Sequence, residues 1–339
     1  MRIGLSFVGE LASFENATLV DTPDGLRGIR PMLVDELQRR GHTVYALQKR
    51  LEAVPYSGVV YDEGFPDLDV LFCEFRWETY KGKTPDLDRQ DELLKRYSLE
   101  IPTIILDAAY WIDDKFEEKW PQVIIADPGI DPKFITRKRD RMLFWTDRKA
   151  LFEVKDPDSL FTYGYIGNDY FRPDEFRRYY VEPSCLLRDE GVQTMIYGNW
   201  IQKSAARPDP GKLISMSHDI GYGGRWSFRD SMKILSNFVA TTHICKPEYY
   251  SRGNITIRFA ESIKTGTPGL VPWNFRDPYI LGREWTVQFP EDVVAKVALL
   301  KRMTQSERLA VVQYQKETLM SRHDVSVETA VSYIESKAK

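Results

Sequence analysis

SRGNITIRFAESIKTGTPGLVP, residues Ser251–Pro272, is the stretch on which the reading of the fold turns. Gly253-Asn254 is a turn, because Gly tolerates the left-handed backbone a turn requires and Asn suits its neighbour. The pattern that follows predicts a helix over Thr256–Thr265, stopped by Gly266. Gly269–Pro272 (GLVP) is a short apolar run, the signature of a buried parallel strand. Turn, helix, glycine stop and apolar strand together make one half of a β-α-β unit.

The same alternation extends in both directions. Downstream, Glu291–Met303, 305–320 and the tail Val325–Lys337 are predicted helices. Upstream, strands are predicted at Phe161–Ile166, Val192–Tyr197 and Phe238–His243, with helices at Arg172–Tyr180 and Ser227–Asn237. Further upstream, 2–8 is a strand, 29–40 a helix with Ile29, Leu33, Val34 and Leu37 on one face, and Gly41 its stop. His42–Leu47, Val70–Cys73, Pro102–Asp107, Val123–Ala126 and Leu143–Trp145 are predicted strands, with a charged helix at 86–98. Such alternation demands right-handed crossovers into parallel sheets. With 339 residues, two domains are expected. The predicted fold is α/β, with Rossmann-like doubly wound domains at 1–150 and 151–322 facing a cleft. Residues 323–339 form a helix expected to pack back on the first domain. Ligands of such sheets lie beyond the carboxyl ends of the strands.

Composition narrows the function classes. No apolar run reaches the length that spans a bilayer, and MRIGLSFVGEL lacks the small-residue cleavage site of a signal peptide. Three scattered cysteines, Cys73, Cys185 and Cys245, suggest neither a disulfide framework nor structural zinc, and fit a cytoplasmic setting. A net charge of −3 leaves any nucleic-acid contact to a local basic patch. The chain after the first strand has no GxGxxG, and no GxxxxGK[ST] occurs anywhere, which disfavours a dinucleotide dehydrogenase and excludes a P-loop kinase. The acidic stretches near 67 and 114 read as surface turns rather than a metal-binding DxD.

The chemistry follows from the same motif. Backbone amides at a helix start form a ready anion site, here at Asn254, Ile255 and Thr256. Glu261, one to two turns in, is placed to accept both hydroxyls of a ribose. This segment resembles the donor motif of GT-B glycosyltransferases, in particular the CgeB-like group and the T-even phage DNA α-glucosyltransferases. The resemblance implies that Asn254, Ile255 and Thr256 hold a diphosphate and Glu261 its ribose. Many retaining relatives carry an acid eight positions before that glutamate; here the position is Gly253, which leaves a contact to sugar hydroxyls without its acid.

Other candidates lie at predicted strand ends. In Tyr165–Arg172 (YIGNDYFR), Gly167 lets backbone approach a ligand, and CgeB-like enzymes show a similar Y-x-G-N facing the donor. Asn168 belongs to that turn. Arg172 is either a cation for the diphosphate or a surface residue at a helix start. Tyr197 and Trp200 flank a glycine after a strand; by resemblance they face uracil, and otherwise Trp200 is a packed core residue. Lys246 is a second candidate phosphate cation. Asp107 ends an apolar strand, where the phage enzymes carry a His-Asp pair of which only the acid matches. It is a candidate base or orienter for the acceptor hydroxyl, or else the cap of a turn. Glu74 and Arg76 follow another strand toward the same rim. Lys133–Lys149 is basic with interleaved aromatics, so Arg137, Lys138 and Arg139 suit either a DNA track or a solvated surface.

Taken together, the resemblance implies a glycosyltransferase that moves a sugar from a UDP-sugar, with retention and with no required metal or cofactor. The favoured acceptor is a 5-hydroxymethylpyrimidine in bacteriophage DNA, modified in the host cytoplasm. Alternatives are a CgeB-like enzyme acting on a glycan, protein or small molecule, a non-catalytic nucleotide-binding protein, and a non-hydrolysing sugar-nucleotide epimerase.

Overall fold

The structure, a computed structural model, describes residues 1–7, 25–47, 56–75, 85–108, 110–129, 139–148, 154–169, 172–201 and 211–338. Two compact units divide the chain between Arg148 and Lys149 and again between Asp324 and Val325. Of the described residues, unit 1 contains those before the first division, apart from Gly25, together with those after the second; unit 2 contains Gly25 and the residues between the two divisions.

Unit 1 contains β1 (Arg2–Ser6), α1 (Gly25–Arg39), β2 (Thr43–Ala46), β3 (Val59–Tyr61), β4 (Val70–Glu74) and α2 (Pro85–Tyr97). It continues through β5 (Thr103–Leu106), α3 (Asp114–Lys119), β6 (Ile124–Asp127) and β7 (Arg139–Arg141). The sheet runs β3-β2-β1-β4-β5-β6-β7 with every pair parallel. Its central strands are apolar runs because both faces are covered, and Ile3, Leu5, Val70, Phe72, Ile104 and Ile105 are buried.

Unit 2 contains β8 (Thr162–Ile166), α4 (Pro173–Phe176), a π-helical turn (Arg177–Val181), α5 (Ser184–Asp189), β9 (Gln193–Tyr197) and β10 (Ile220–Tyr222). Then come α6 (Phe228–Leu235), β11 (Phe238–Thr242), α7 (Pro247–Arg252), α8 (Arg258–Lys264), β12 (Gly269–Pro272) and β13 (Thr286–Val287). The long helices α9 (Pro290–Arg302) and α10 (Gln305–His323) follow. This sheet is also parallel, in the order β10-β9-β8-β11-β12-β13. A buried Gln315 on α10 secures β12: its amide donates to the Gly269 carbonyl and accepts from the Gly269 N–H, both at 2.9 Å.

The last helix, α11 (Val327–Lys337), packs on unit 1. Glu335 meets Arg40 and His42 at 2.8 Å each. Asp140 of β7 accepts from Tyr333 at 2.8 Å and pairs with Lys337 at 2.7 Å.

Three expectations need correction. Leu143–Trp145 is not a strand: the segment makes one parallel bridge, Thr146 with Ser326, while the short charged Arg139–Arg141 takes the sheet edge. Arg172–Tyr180 is broken into α4 and the π-helical turn. The helix predicted to open at Thr256 starts at Arg258, because the chain before it is occupied in closing α7.

Candidate functional site

Each sheet has a point where strand order reverses, and in open α/β sheets ligands lie beyond the carboxyl ends of the strands there. In unit 2 the chain builds outward from β8 to β9 and β10, then returns to β11 on the other side of β8. The reversal therefore lies between β8 and β11. At their carboxyl ends a crevice is lined by Tyr165, Ile166, Thr242, His243, Ile244 and Arg258.

Three cations gather around it. Arg172, at the start of α4, donates to the Tyr165 hydroxyl and to the Ile244 carbonyl at 3.3 Å. Lys246, just before α7, is half-buried with its ammonium over the Tyr249 ring. Burial, and the nearby charge of Arg172, push the Lys246 ammonium below its usual range. Arg258 opens α8 and pairs with Glu261 at 3.3 Å. An anion arriving here meets positive charge from three separate elements.

His243, directly after β11, is a neutral packing residue. Burial, helped by the Arg258 charge, lowers its pKa to about 3. Its ring stacks on Phe259 of α8, with centroids 4.3 Å apart, and so ties the strand end to the helix that carries Arg258 and Glu261.

The donor motif is built differently from the expectation at its start. Gly253 adopts φ 65° and closes α7, with the Gly253 amide on the Tyr250 carbonyl and the Asn254 amide on the Tyr249 carbonyl. The Asn254 amide is thus taken up by the protein, and the Ile255 side chain is buried. Among the described residues no acceptor takes the amides of Thr256 and Ile257. Glu261 is buried on α8 against Arg258, which sequence reading missed. The signal was present: Arg258 and Glu261 stand three apart and share a helical face.

The glycine-rich turns form one braced floor. A side chain at Gly198, where φ is 120°, would place its Cβ 1.9 Å from the Gly167 carbonyl oxygen. A Cβ at Gly167 would in turn lie 2.7 Å from the Tyr165 hydroxyl, so the close approaches at both glycines are to the protein's own atoms. Asn168 accepts from the Asn199 amide at 2.9 Å. Tyr197 stacks on Phe238. Trp200 is only 1% exposed, donates to the Gly167 carbonyl at 2.7 Å and packs on Tyr165 and Phe176. It is a core residue with no face for a nucleobase, which corrects its placement at the uracil.

In unit 1 the reversal lies between β1 and β4. Here Glu74 turns inward rather than toward a rim. It is buried and bidentate to the equally buried Arg30, with the Arg30 Nε–Oε1 bond at 2.9 Å. The guanidinium lies over the Phe7 ring. Asp107 is buried as well, and its two oxygens accept the Trp111 and Ile112 amides at 2.8 and 3.0 Å. Burial raises its pKa. Asp107 therefore holds the loop after β5 instead of standing at an open rim. Arg139 also faces inward, hydrogen-bonding Glu117 at 2.7 Å and lying 3.8 Å from both Asp107 and Asp127, so it is no part of an exposed basic track. Arg76, Arg137 and Lys138 lie outside the described residues. Among the described residues, no three His, Cys, Asp or Glu side chains cluster as a metal site, and no helix is long and apolar enough to cross a membrane.

No protein family and no curated protein matches the sequence. Solved structures match its fold over the whole length. An α-glucosyltransferase in complex with UDP and a 13-mer DNA containing a HMU base superposes with TM-score 0.64 at 12% identity, covering 99% of each chain. T4 phage BGT in complex with UDP and Mn²⁺ gives 0.62 at 13% identity, covering 100% of each. AviGT4, a glycosyltransferase involved in avilamycin A biosynthesis, gives 0.56 at 10% identity, covering 99% of this chain and 96% of its own. The fold is GT-B.

Proposed function

We propose that the chain is a glycosyltransferase that binds a UDP-sugar at the carboxyl edge of the unit 2 sheet and transfers the sugar to the hydroxyl of a 5-hydroxymethylpyrimidine in DNA. The observation that carries the donor half is the gathering of Arg172, Lys246 and Arg258 around the ends of β8 and β11. In that reading the three cations and the amides of Thr256 and Ile257 meet the diphosphate. Preorganised charge of this kind stabilises a departing nucleoside diphosphate without solvent reorganisation. Glu261 orients Arg258 and takes the ribose hydroxyls.

The acceptor half rests on the solved structures that share the fold, one of them in complex with HMU-containing DNA. A glycan or small-molecule acceptor is the second reading, favoured by the likeness to AviGT4. The deciding experiment incubates the full chain with a panel of UDP-sugars and duplexes with or without 5-hydroxymethylpyrimidine, with Mn²⁺ or with a chelator, and weighs the DNA by mass spectrometry. A hexose added only to the hydroxymethylated duplex is expected. UDP release without any DNA product moves the acceptor to the second reading. Retention, which the donor motif implies, requires an α-linked product from an α-linked donor; a β-linked one overturns it.

Asp107→Asn addresses the acceptor side. The loop that Asp107 holds after β5 should loosen, so turnover should fall while UDP affinity holds; wild-type turnover shows that this loop has no part in transfer.

A further inference from the structure

The segment joining β12 to β13, residues 273–285, is anchored at its apolar positions yet displays two aromatic rings and two arginines. Phe275, Ile280, Leu281 and Trp285 are buried. Trp273 and Tyr279 are 47% and 44% exposed, and Arg276 and Arg283 of the same segment are exposed as well. Full burial of such a ring typically contributes about 2 kcal/mol, so two rings held in water on one anchored segment offer a partner surface to cover.

The loop is held firmly. Asp277 accepts from Arg322 at 2.9 and 2.8 Å and meets His323 at 2.6 Å. The Arg276 amide donates to the Tyr250 carbonyl at 2.9 Å, and the Thr286 hydroxyl to the Pro278 carbonyl at 2.7 Å. The Arg283 guanidinium lies over the Tyr279 ring, 5.9 Å from its centroid. Pairing of Asp277 with Arg322 neutralises the loop's inner acid. Glu284 is its one remaining exposed acid, against Arg276 and Arg283. The surface is thus aromatic and cationic, and it leaves the end of β12, the strand next to β11 and its crevice.

We propose that this loop is a nucleic-acid contact surface, on which Trp273 and Tyr279 take the faces of bases or sugars while Arg276 and Arg283 meet phosphates. Rings that pack on sugars, or on a base turned out of the stack, beside cations that follow the backbone, are a combination that binds DNA without reading its sequence. A neutral glycan would use the rings but bring no negative charge to a segment with two exposed arginines and one exposed acid. The assignment rests on the DNA-acceptor reading.

The test measures binding of a labelled hydroxymethylated duplex to the full chain across a salt series. Arg276→Glu with Arg283→Glu should weaken binding roughly a hundredfold at low salt and lower the slope of log affinity against log salt by about 2. Trp273→Ala with Tyr279→Ala should weaken it about tenfold. Arg302→Glu, a charge reversal on α9, should leave binding unchanged. Unaltered melting temperatures show that the variants fold. If the wild type binds and glycosylates the duplex while both double variants bind as it does, the surface assignment is overturned and the acceptor reading stands. If the wild type neither binds nor modifies DNA, the acceptor reading falls and this assignment with it.

Discussion

The two sheets are alike in construction and opposite in how they finish the point where their strand order reverses. In unit 1 the last residue of β4 is Glu74, and it answers a buried arginine from within. In unit 2 the last residue of β11 is Thr242, a neutral group whose amide donates to the Tyr180 hydroxyl, and cations from the start of α4, from α8 and from the chain before α7 collect around it. A doubly wound sheet therefore provides the place for a ligand without requiring one. On the proposed reading, the charge balance at the strand ends decides which reversal is a site: one is closed by the buried Arg30–Glu74 pair, and the other gathers cations from three elements.

The sharpest way to break this contrast is to unmake the internal pair. Glu74→Ala leaves Arg30 buried without its carboxylate and should destabilise unit 1 by about 3–5 kcal/mol in chemical denaturation. UDP affinity, a property of unit 2, should persist under native conditions. A variant as stable as the wild type shows that unit 1 is not closed by this pair.

Gly198→Ala attacks the other side. Its methyl carbon collides with the Gly167 carbonyl at a backbone angle that side chains rarely adopt. We expect a loss of about 3 kcal/mol in thermal unfolding, with weakened UDP binding as the floor of the site shifts. Unchanged melting removes the braced floor from the account.

Gln315→Leu removes both partners of the Gly269 backbone and should cost about 2 kcal/mol. Because β12 adjoins the strand that ends at the crevice, UDP affinity should decline with it. Stability equal to the wild type shows that Gly269 finds other partners.

The smallest expected effect is a pH slope. Burial and Arg172 hold the Lys246 pKa down, so the neutral amine appears earlier than usual as pH rises. A bound diphosphate favours the ammonium. UDP binding should therefore take up protons and weaken toward alkaline pH. Lys246→Arg, whose charge persists, should flatten the slope in calorimetry run in buffers of different ionisation enthalpy. A slope unaltered by Lys246→Arg assigns the proton elsewhere.

Much of the fold was legible because buried parallel strands are continuous apolar runs, as in VLFC and FVATTH. The edge was not. Arg139–Arg141 carries no apolar signal and becomes a strand through β6 and through Asp140, which α11 holds from nearly two hundred residues away in sequence. The start of the donor helix was misplaced for a related reason. The six-residue α7 is too short to show a period, so Gly253 looked like the approach to one helix when it closes another. At the candidate site, Arg172 and Lys246 were expected from their place after strands, whereas Arg258 was hidden within an apolar-looking helix. Trp200, Glu74 and Arg139 misled because the type of residue at a strand end does not reveal whether it turns inward.

The account depends on where the nucleotide binds, and titration of UDP into the full chain by calorimetry tests that most directly. Arg172→Ala and Arg258→Ala should each weaken binding about tenfold or more, as the loss of a charge-assisted contact to phosphate does. Arg40→Ala, which removes a tail-helix pair in unit 1, should bind as the wild type does. Wild-type affinity in Arg172→Ala, Lys246→Ala and Arg258→Ala alike contradicts the assignment.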